Sequence, residues 1–118
     1  MIINTTESGV KVAIGAYKGS GTYGDTNPNI LTFAFRPRLL IIQSVGDDMF
    51  DGKLLINLCP QVDGDTFFNV ITLKAETYSM EWNFIFGSWN DTTVTWYAQS
   101  ADDQLNIKNL IYQYFAIG

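Results

Sequence analysis

The chain has 118 residues, of which 47% are hydrophobic, 14% aromatic and 16% charged, and its formal net charge is −5. A chain of this length forms one domain, and this composition excludes an intrinsically disordered protein. The seven Lys and Arg residues do not favour the basic surface that binds nucleic acid, and the absence of histidine removes the usual catalytic triads and the commonest zinc ligand.

Short segments with period-two alternation follow one another along the chain, separated by turn residues. In chain order, we predict strands over 10–17, 30–35, 38–45, 53–59, 66–74, 80–86, 92–98 and 110–117. Their even spacing and their β-branched and aromatic residues are typical of an all-β domain. The connections are too short for parallel crossovers, so antiparallel neighbours are favoured. We therefore expect a single domain over residues 1–118, an antiparallel, jelly-roll-like β-sandwich of about eight strands.

The segments between these strands are polar and rich in residues that suit turns. We predict a long loop over Gly19–Asn29 and a tight connection over Gly87–Asp91, while Ala75–Ser79 fits either a helical turn or a loop. Gly19–Gly24 has the spacing G-x-G-x-x-G, but no βαβ unit surrounds it. Because a dinucleotide site needs the following helix, we interpret this segment as a β-connection and expect no cofactor.

Two features of the sequence bear on membranes and redox chemistry. The longest aliphatic run, Leu39–Ile42, is far shorter than the roughly 20 residues of a membrane helix. The first residues lack the basic and apolar regions of a signal peptide. We therefore expect neither membrane insertion nor a cleaved signal.

Cys59 is the one cysteine, which excludes an intrachain disulfide and suggests a buried strand position.

Two acidic clusters contain oxygen ligands of the kind that calcium takes. One contains Asp47, Asp48 and Asp51, and the other contains Asp63 and Asp65. Neither has the spacing of an EF-hand, and Asp also suits ordinary turns. The sequence leaves both interpretations open, and we assign no metal site.

A carboxylate-based glycoside hydrolase is a third functional alternative. Such an enzyme needs two carboxylates that face each other across a sugar. Glu76 and Glu81 are the glutamates near aromatic residues, but nothing in the sequence shows that they converge. We therefore expect a protein that is not an enzyme and has no catalytic residues.

The tryptophans fall into two groups. Trp82 and Trp96 are in phase with apolar neighbours, which predicts core packing. Trp89 lies in the predicted polar connection, where an aromatic ring marks a binding surface unless it folds back onto the core. Its ring would stack on a ligand, and adjacent amide and carboxylate groups would bind hydroxyls. The candidate ligand-binding residues are Trp89, Asn90, Asp91 and Tyr23.

Several motifs at the two ends of the chain resemble a known family. They are Gly15–Gly21, Ala34–Arg38 with Leu39–Ile42, Val94–Tyr97, Gln104–Asn106 and Tyr112–Gly118. Together they resemble C-terminal β modules of the tail-fibre and related structural proteins of bacteriophages and prophages. Ala34 stands where that pattern usually has glycine, and residues 46–90 show little resemblance.

The resemblance implies a non-enzymatic module of a tail appendage, located in a virion or encoded by a prophage. The implied partner is a bacterial cell-surface glycan or protein, and the implied assembly is a trimer. Poorly protected strand edges also favour a homo-oligomer. The alternative of another class is a purely structural module that assembles or trimerises a fibre and binds no ligand.

Overall fold

The structure is a computed structural model that describes residues 9–45, 52–74 and 77–118. Within these ranges there are eight β-strands and no helix. The strands are β1 (Val12–Lys18), β2 (Asn29–Thr32), β3 (Leu39–Val45), β4 (Gly52–Leu58), β5 (Gly64–Lys74), β6 (Ser79–Asn90), β7 (Thr93–Tyr97) and β8 (Ile111–Ile117). The predicted all-β class and the predicted number of strands are confirmed.

All eight strands belong to one curled antiparallel sheet. Their order is β1-β8-β3-β4-β5-β6-β7-β2. Consecutive strands from β3 to β7 are neighbours, as their short connections predict, whereas β8 inserts between β1 and β3. The antiparallel pairing is confirmed, but a two-sheet sandwich with jelly-roll connections is not.

The curl brings the two outer strands of the sheet towards each other. The ring of Tyr17 on β1 lies 6.3 Å from the ring of Trp96 on β7, in an edge-to-face arrangement. Asn29 on β2 donates a side-chain hydrogen bond to the Tyr17 hydroxyl, over 3.5 Å. The sheet therefore has a concave side that can hold a core and a convex side that faces outward.

The core lies on the concave side because alternate residues of each strand point there. In β4 and β7 every second residue is buried. The core comprises Phe33, Leu40, Ile42, Leu55, Cys59, Phe68, Val70, Ile85, Trp89, Val94, Trp96, Ala98, Leu105, Tyr112 and Ala116. Trp96 is a core residue, as its phase predicts.

The polar segment between β7 and β8, residues 98–110, covers the concave side, and we call it the closing segment. Gln104 and Leu105 in this segment are fully buried. The side-chain oxygen of Gln104 accepts hydrogen bonds from the amides of Gly24 and Ala98, each over 2.9 Å. The side-chain nitrogen of Gln104 donates to the carbonyl of Asn27 over 2.8 Å. One buried amide thus fixes the first long loop, the end of β7 and the closing segment together.

A buried lysine ties the same segment to the middle of the sheet. The Lys53 ammonium donates to the Thr72 hydroxyl over 2.7 Å. It also lies 3.2 Å from a carboxylate oxygen of Asp102 and 3.2 Å from one of Asp103. Because a buried charge needs partners, these two carboxylates fix where the segment crosses the sheet.

Two predictions about β6 are wrong. Gly87–Asn90 continues the strand as far as Asn90 instead of forming a connection, so only Asp91 and Thr92 turn the chain. Trp82 is 58% exposed and does not belong to the core. Both errors arise because β6 is longer than an average strand, so its buried end and its exposed end have different surroundings.

Candidate binding surface

The sequence-predicted site residues do not form one cluster. Trp89 is 1% exposed, so its ring offers no face to a ligand in this structure. The ring packs 6.3 Å from that of Phe33, and the Arg36 guanidinium lies 5.6 Å from its centre. Among the described residues, the indole nitrogen of Trp89 has no hydrogen-bond partner. Trp89 therefore folds back onto the core, which was the alternative to a binding role.

Asn90 and Asp91 lie at the exposed turn between β6 and β7. Asp91 has a positive φ of 56°, a conformation that Asp adopts more readily than most residues. Its amide donates to a carboxylate oxygen of Asp63 over 2.8 Å, and that oxygen is 2.6 Å from Arg36. The Asp91 amide and then the Arg36 guanidinium hold the pKa of Asp63 below its usual range. Asp63 thus links the turn at Asp91 to Arg36.

Tyr23 lies at the other end of β7. The neighbouring Gly24 donates to the same Gln104 oxygen as Ala98, which follows β7, whereas Asp91 precedes β7. The length of a five-residue strand, about 17 Å, therefore separates Tyr23 from the Asp91 turn. Tyr23 is exposed, but one small ligand cannot reach it together with Asn90 and Asp91.

The convex side of β5 and β6 carries a surface that the sequence analysis did not identify. We call it the aromatic patch. It consists of Phe67, Leu73, Met80, Trp82, Phe84 and Phe86, which are 45–70% exposed. The register places Phe67 opposite Phe86 and Leu73 opposite Met80, with Trp82 and Phe84 between them along β6. The patch is therefore continuous along the hairpin.

The rings of the patch contact one another. Phe67 and Phe86 are 5.1 Å apart between ring centres, and Phe86 stacks on Tyr97 of β7 at 5.8 Å. These contacts fix the rings on rigid strands, although water still reaches them. The patch thus presents a preformed apolar surface.

The apolar and polar sides of this part of β6 are reversed relative to an ordinary surface strand. Residues 80, 82, 84 and 86 point to the convex side and are apolar, whereas Glu81 and Asn83 point to the concave side. Both of these polar residues are exposed, although Val70 and Thr72, which lie opposite them on β5, are buried. A strand with a solvated convex face normally has its polar residues there. The sequence pattern predicted the strand correctly but not which side would be covered.

One edge of β6 is also unpaired. β5 pairs with Ser79–Trp89, but β7 pairs only with Phe86–Asn90. No described strand pairs with Ser79–Ile85 on the β7 side. An open strand edge presents unpaired backbone N–H and C=O groups that can bind another strand.

The hydrogen-bond pattern shows which residues face this edge. Phe33 donates to the carbonyl of Thr92 over 3.1 Å, so Thr92 faces β2 and the next residue, Thr93, faces β6. Its partner Asn90 then faces β7. Because backbone groups alternate along a strand, Phe84 and Trp82 face the same way as Asn90. Residues of the aromatic patch therefore also carry the unpaired backbone groups.

Several of the described acidic residues form ion pairs. Glu81 lies 2.9 Å from Lys74, and Asp63 pairs with Arg36. Within the described ranges, no group of three or more Cys, Asp or Glu side chains is arranged to hold a metal ion. The first acidic cluster (Asp47, Asp48 and Asp51) and Glu76 lie outside those ranges.

Cys59 is buried in the core as predicted, but it directly follows β4 and is not a strand residue. Burial raises the pKa of its thiol to about 11, against smaller opposing effects of Asn57 and Arg36. Because the thiolate is the reactive form, this cysteine is a packing residue at neutral pH.

Comparisons with known proteins add no assignment: no family model, no curated protein and no solved structure matches this chain. No described helix is long and apolar enough to cross a membrane.

Proposed function

We propose that this chain is a non-enzymatic assembly module that forms a homo-oligomer through the aromatic patch. Its place would be in a larger protein appendage, of the phage or prophage tail type that its sequence resembles. The oligomer would cover the convex side of β5 and β6. Of the functions considered, the structural alternative is the one that the surface supports best.

The observation that carries this proposal is the reversed polarity of β6. With aromatic side chains of 150–250 Å² each, the patch exposes roughly 600 Å² of apolar surface, at the upper end for monomeric proteins. Its members are Phe, Leu, Met and Trp, which supply neither a nucleophile nor an acid or base. Such a surface supports contact with another protein, where aromatic residues are enriched and charges depleted.

The test compares two double variants by sedimentation equilibrium. Trp82→Ser with Phe84→Ser removes two rings of the patch, and Val12→Ser with Ile14→Ser removes two exposed aliphatic residues from the convex side of β1. We expect the first pair to weaken self-association at least tenfold, because apolar area is lost from the contact. The second pair should change it less than about threefold. Equal effects of the two pairs would contradict the role of the patch.

Receptor binding is a second candidate, supported by the loop that presents Tyr23. The side-chain nitrogen of Asn106 donates to the Thr22 carbonyl over 2.7 Å, and Gln104 holds the Gly24 amide. The exposed ring between these anchors is preorganised for stacking on a sugar or a protein surface. For this candidate, Tyr23→Ala should abolish binding to bacterial surface glycans while Asp91→Ala, at the distant turn, leaves it intact. Unchanged glycan binding by Tyr23→Ala would exclude Tyr23 as the contact.

A further inference from the structure

We propose that two copies of this chain associate by pairing the free edge of β6 with itself, antiparallel, across a two-fold axis. This inference rests on the proposed function and adds the strand, the register and the symmetry of the contact. Its occupant is a second copy, because a strand that pairs antiparallel with its own copy is self-complementary. The expected assembly is thus a dimer in place of the trimer that the resemblance implies.

Met80, Trp82 and Phe84 combine the two features that such a contact needs. Their side chains are exposed on the convex side, and by alternation their backbone groups point to the open edge. A second β6 would satisfy these backbone groups and place its own rings beside the first set. Backbone pairing and apolar burial then occur in the same contact.

The length of the open edge fixes the register. If the whole of Ser79–Ile85 pairs, Trp82 lies opposite Trp82 of the second copy, and Met80 lies opposite its Phe84. Each of these residues faces the edge, so each opposing pair exchanges two hydrogen bonds, roughly six in all. The cross-strand side-chain pairs on the convex side are then all apolar or aromatic.

The charges of β6 agree with this register. Glu81 lies opposite Asn83 of the second copy, so no two carboxylates face each other across the seam. Lys74 already pairs with Glu81 within each copy, at 2.9 Å. For a chain of net charge −5, a seam without like-charge pairs is a specific advantage.

The tip of the hairpin fits the same arrangement. Tyr78 directly precedes β6 and is 96% exposed. In this register the position opposite Phe86 of the second copy is already occupied by that copy's Tyr97, so Tyr78 lies at the end of the pairing, beside a groove of about 210 Å³ lined by residues that include Phe84, Ile85, Ala98 and Gln99. An otherwise isolated ring thus has a receiving surface on the other copy.

The available area is that of a small but specific interface. Tyr78, Trp82 and Phe84 together expose roughly 450 Å² per copy, or about 900 Å² for two copies, before the strand backbones are added. Specific interfaces begin at about 1,000 Å² in total. We therefore expect a dissociation constant of about 1–100 µM.

The first experiment separates the backbone contribution from the ring. Phe84→Ala removes the ring and keeps the N–H, whereas Phe84→Pro removes both. Because no described strand accepts this N–H within one copy, proline should leave the fold intact, which near-UV circular dichroism checks. Sedimentation equilibrium should show roughly tenfold weaker dimerisation for Ala and at least tenfold weaker again for Pro.

The outcomes separate the two proposals. Equal weakening by Ala and Pro would overturn the edge pairing but leave the role of the patch standing. A wild-type chain that stays monomeric would overturn both. A wild-type trimer would overturn the two-fold contact alone.

A cysteine scan tests the register without relying on proline. In a Cys59→Ser background, Trp82→Cys should give a disulfide-linked dimer on mild oxidation, because opposed Cα atoms about 5.5 Å apart are within disulfide range. Phe67→Cys, exposed on the same side but one strand away from the edge, should stay largely unlinked. Cross-linking of Phe67→Cys that is as fast as that of Trp82→Cys would contradict the register.

Discussion

The chain's three tryptophans show how a residue's role depends on its position along the strand. Trp96 and Trp89 point to the concave side and are 0% and 1% exposed, whereas Trp82 points outward. The core position of Trp96 was predictable because regular alternation surrounds it. Trp89 was wrongly placed in a connection because Gly87, Ser88 and Asn90 are typical of a turn. In the structure these residues belong to β6, which pairs on both sides there.

Lys53 gives a prediction at the level of single residues. Its ammonium is buried, but Asp102 and Asp103 are partly exposed. The lysine therefore needs the carboxylates more than the carboxylates need the lysine. Lys53→Met leaves two carboxylates that water can solvate, and we expect a loss of about 1 kcal/mol in unfolding free energy. Asp102→Asn with Asp103→Asn leaves a buried charge without a counter-charge, and we expect a loss of about 3 kcal/mol.

Urea denaturation at neutral pH measures both losses. Asp65→Asn is the matched control, since Asp65 is an exposed carboxylate outside this network, and it should change stability by less than about 0.5 kcal/mol. A larger loss for Lys53→Met than for the double Asp variant would show that the lysine is not buried as described.

At the level of the element, β6 shows what a period-two pattern can and cannot establish. The alternation of Met80, Trp82, Phe84 and Phe86 predicted a strand, and a strand is present. The pattern also predicted that Trp82 packs in the core, because it is in phase with apolar neighbours. That inference failed because the choice of side depends on contacts with distant strands. Here the core covers only the concave side of the sheet, so the apolar face of β6 on the convex side remains exposed.

The closing segment between β7 and β8 shows a second limit of sequence reasoning. Its composition is polar, yet Gln104 and Asn106 are buried. Their side chains replace backbone pairing by binding the amides and carbonyls of the first long loop. Turn composition cannot distinguish such a buried polar network from a solvated loop, because both favour Asn and Gln. The Gln104–Asn106 motif was noted in the sequence only through the family resemblance.

At the level of the whole molecule, strand number was predictable but strand order was not. Turn signals mark each strand, so eight strands could be counted from the sequence. The insertion of β8 between β1 and β3 pairs residues about a hundred positions apart, such as Val12 with Ile117. No local pattern encodes such a pairing. The single curled sheet therefore emerged only from the structure.

The curled sheet also explains why the aromatic patch lies on the convex side. The concave side is filled by the core and the closing segment, so the convex side carries the exposed apolar residues. Within that side, the aromatic patch combines exposed rings with an open strand edge. We propose assembly through this surface, and the fluorescence of Trp82 reports on it.

Quenching of tryptophan fluorescence by acrylamide, measured against protein concentration, tests this assembly. Trp89 and Trp96 are buried in each copy, so quenching reports mainly on Trp82. From about 1 µM to several hundred µM protein, we expect the quenching constant to fall at least about twofold as the patch becomes covered. A quenching constant that stays the same over this range, with Trp82 accessible throughout, would contradict the account.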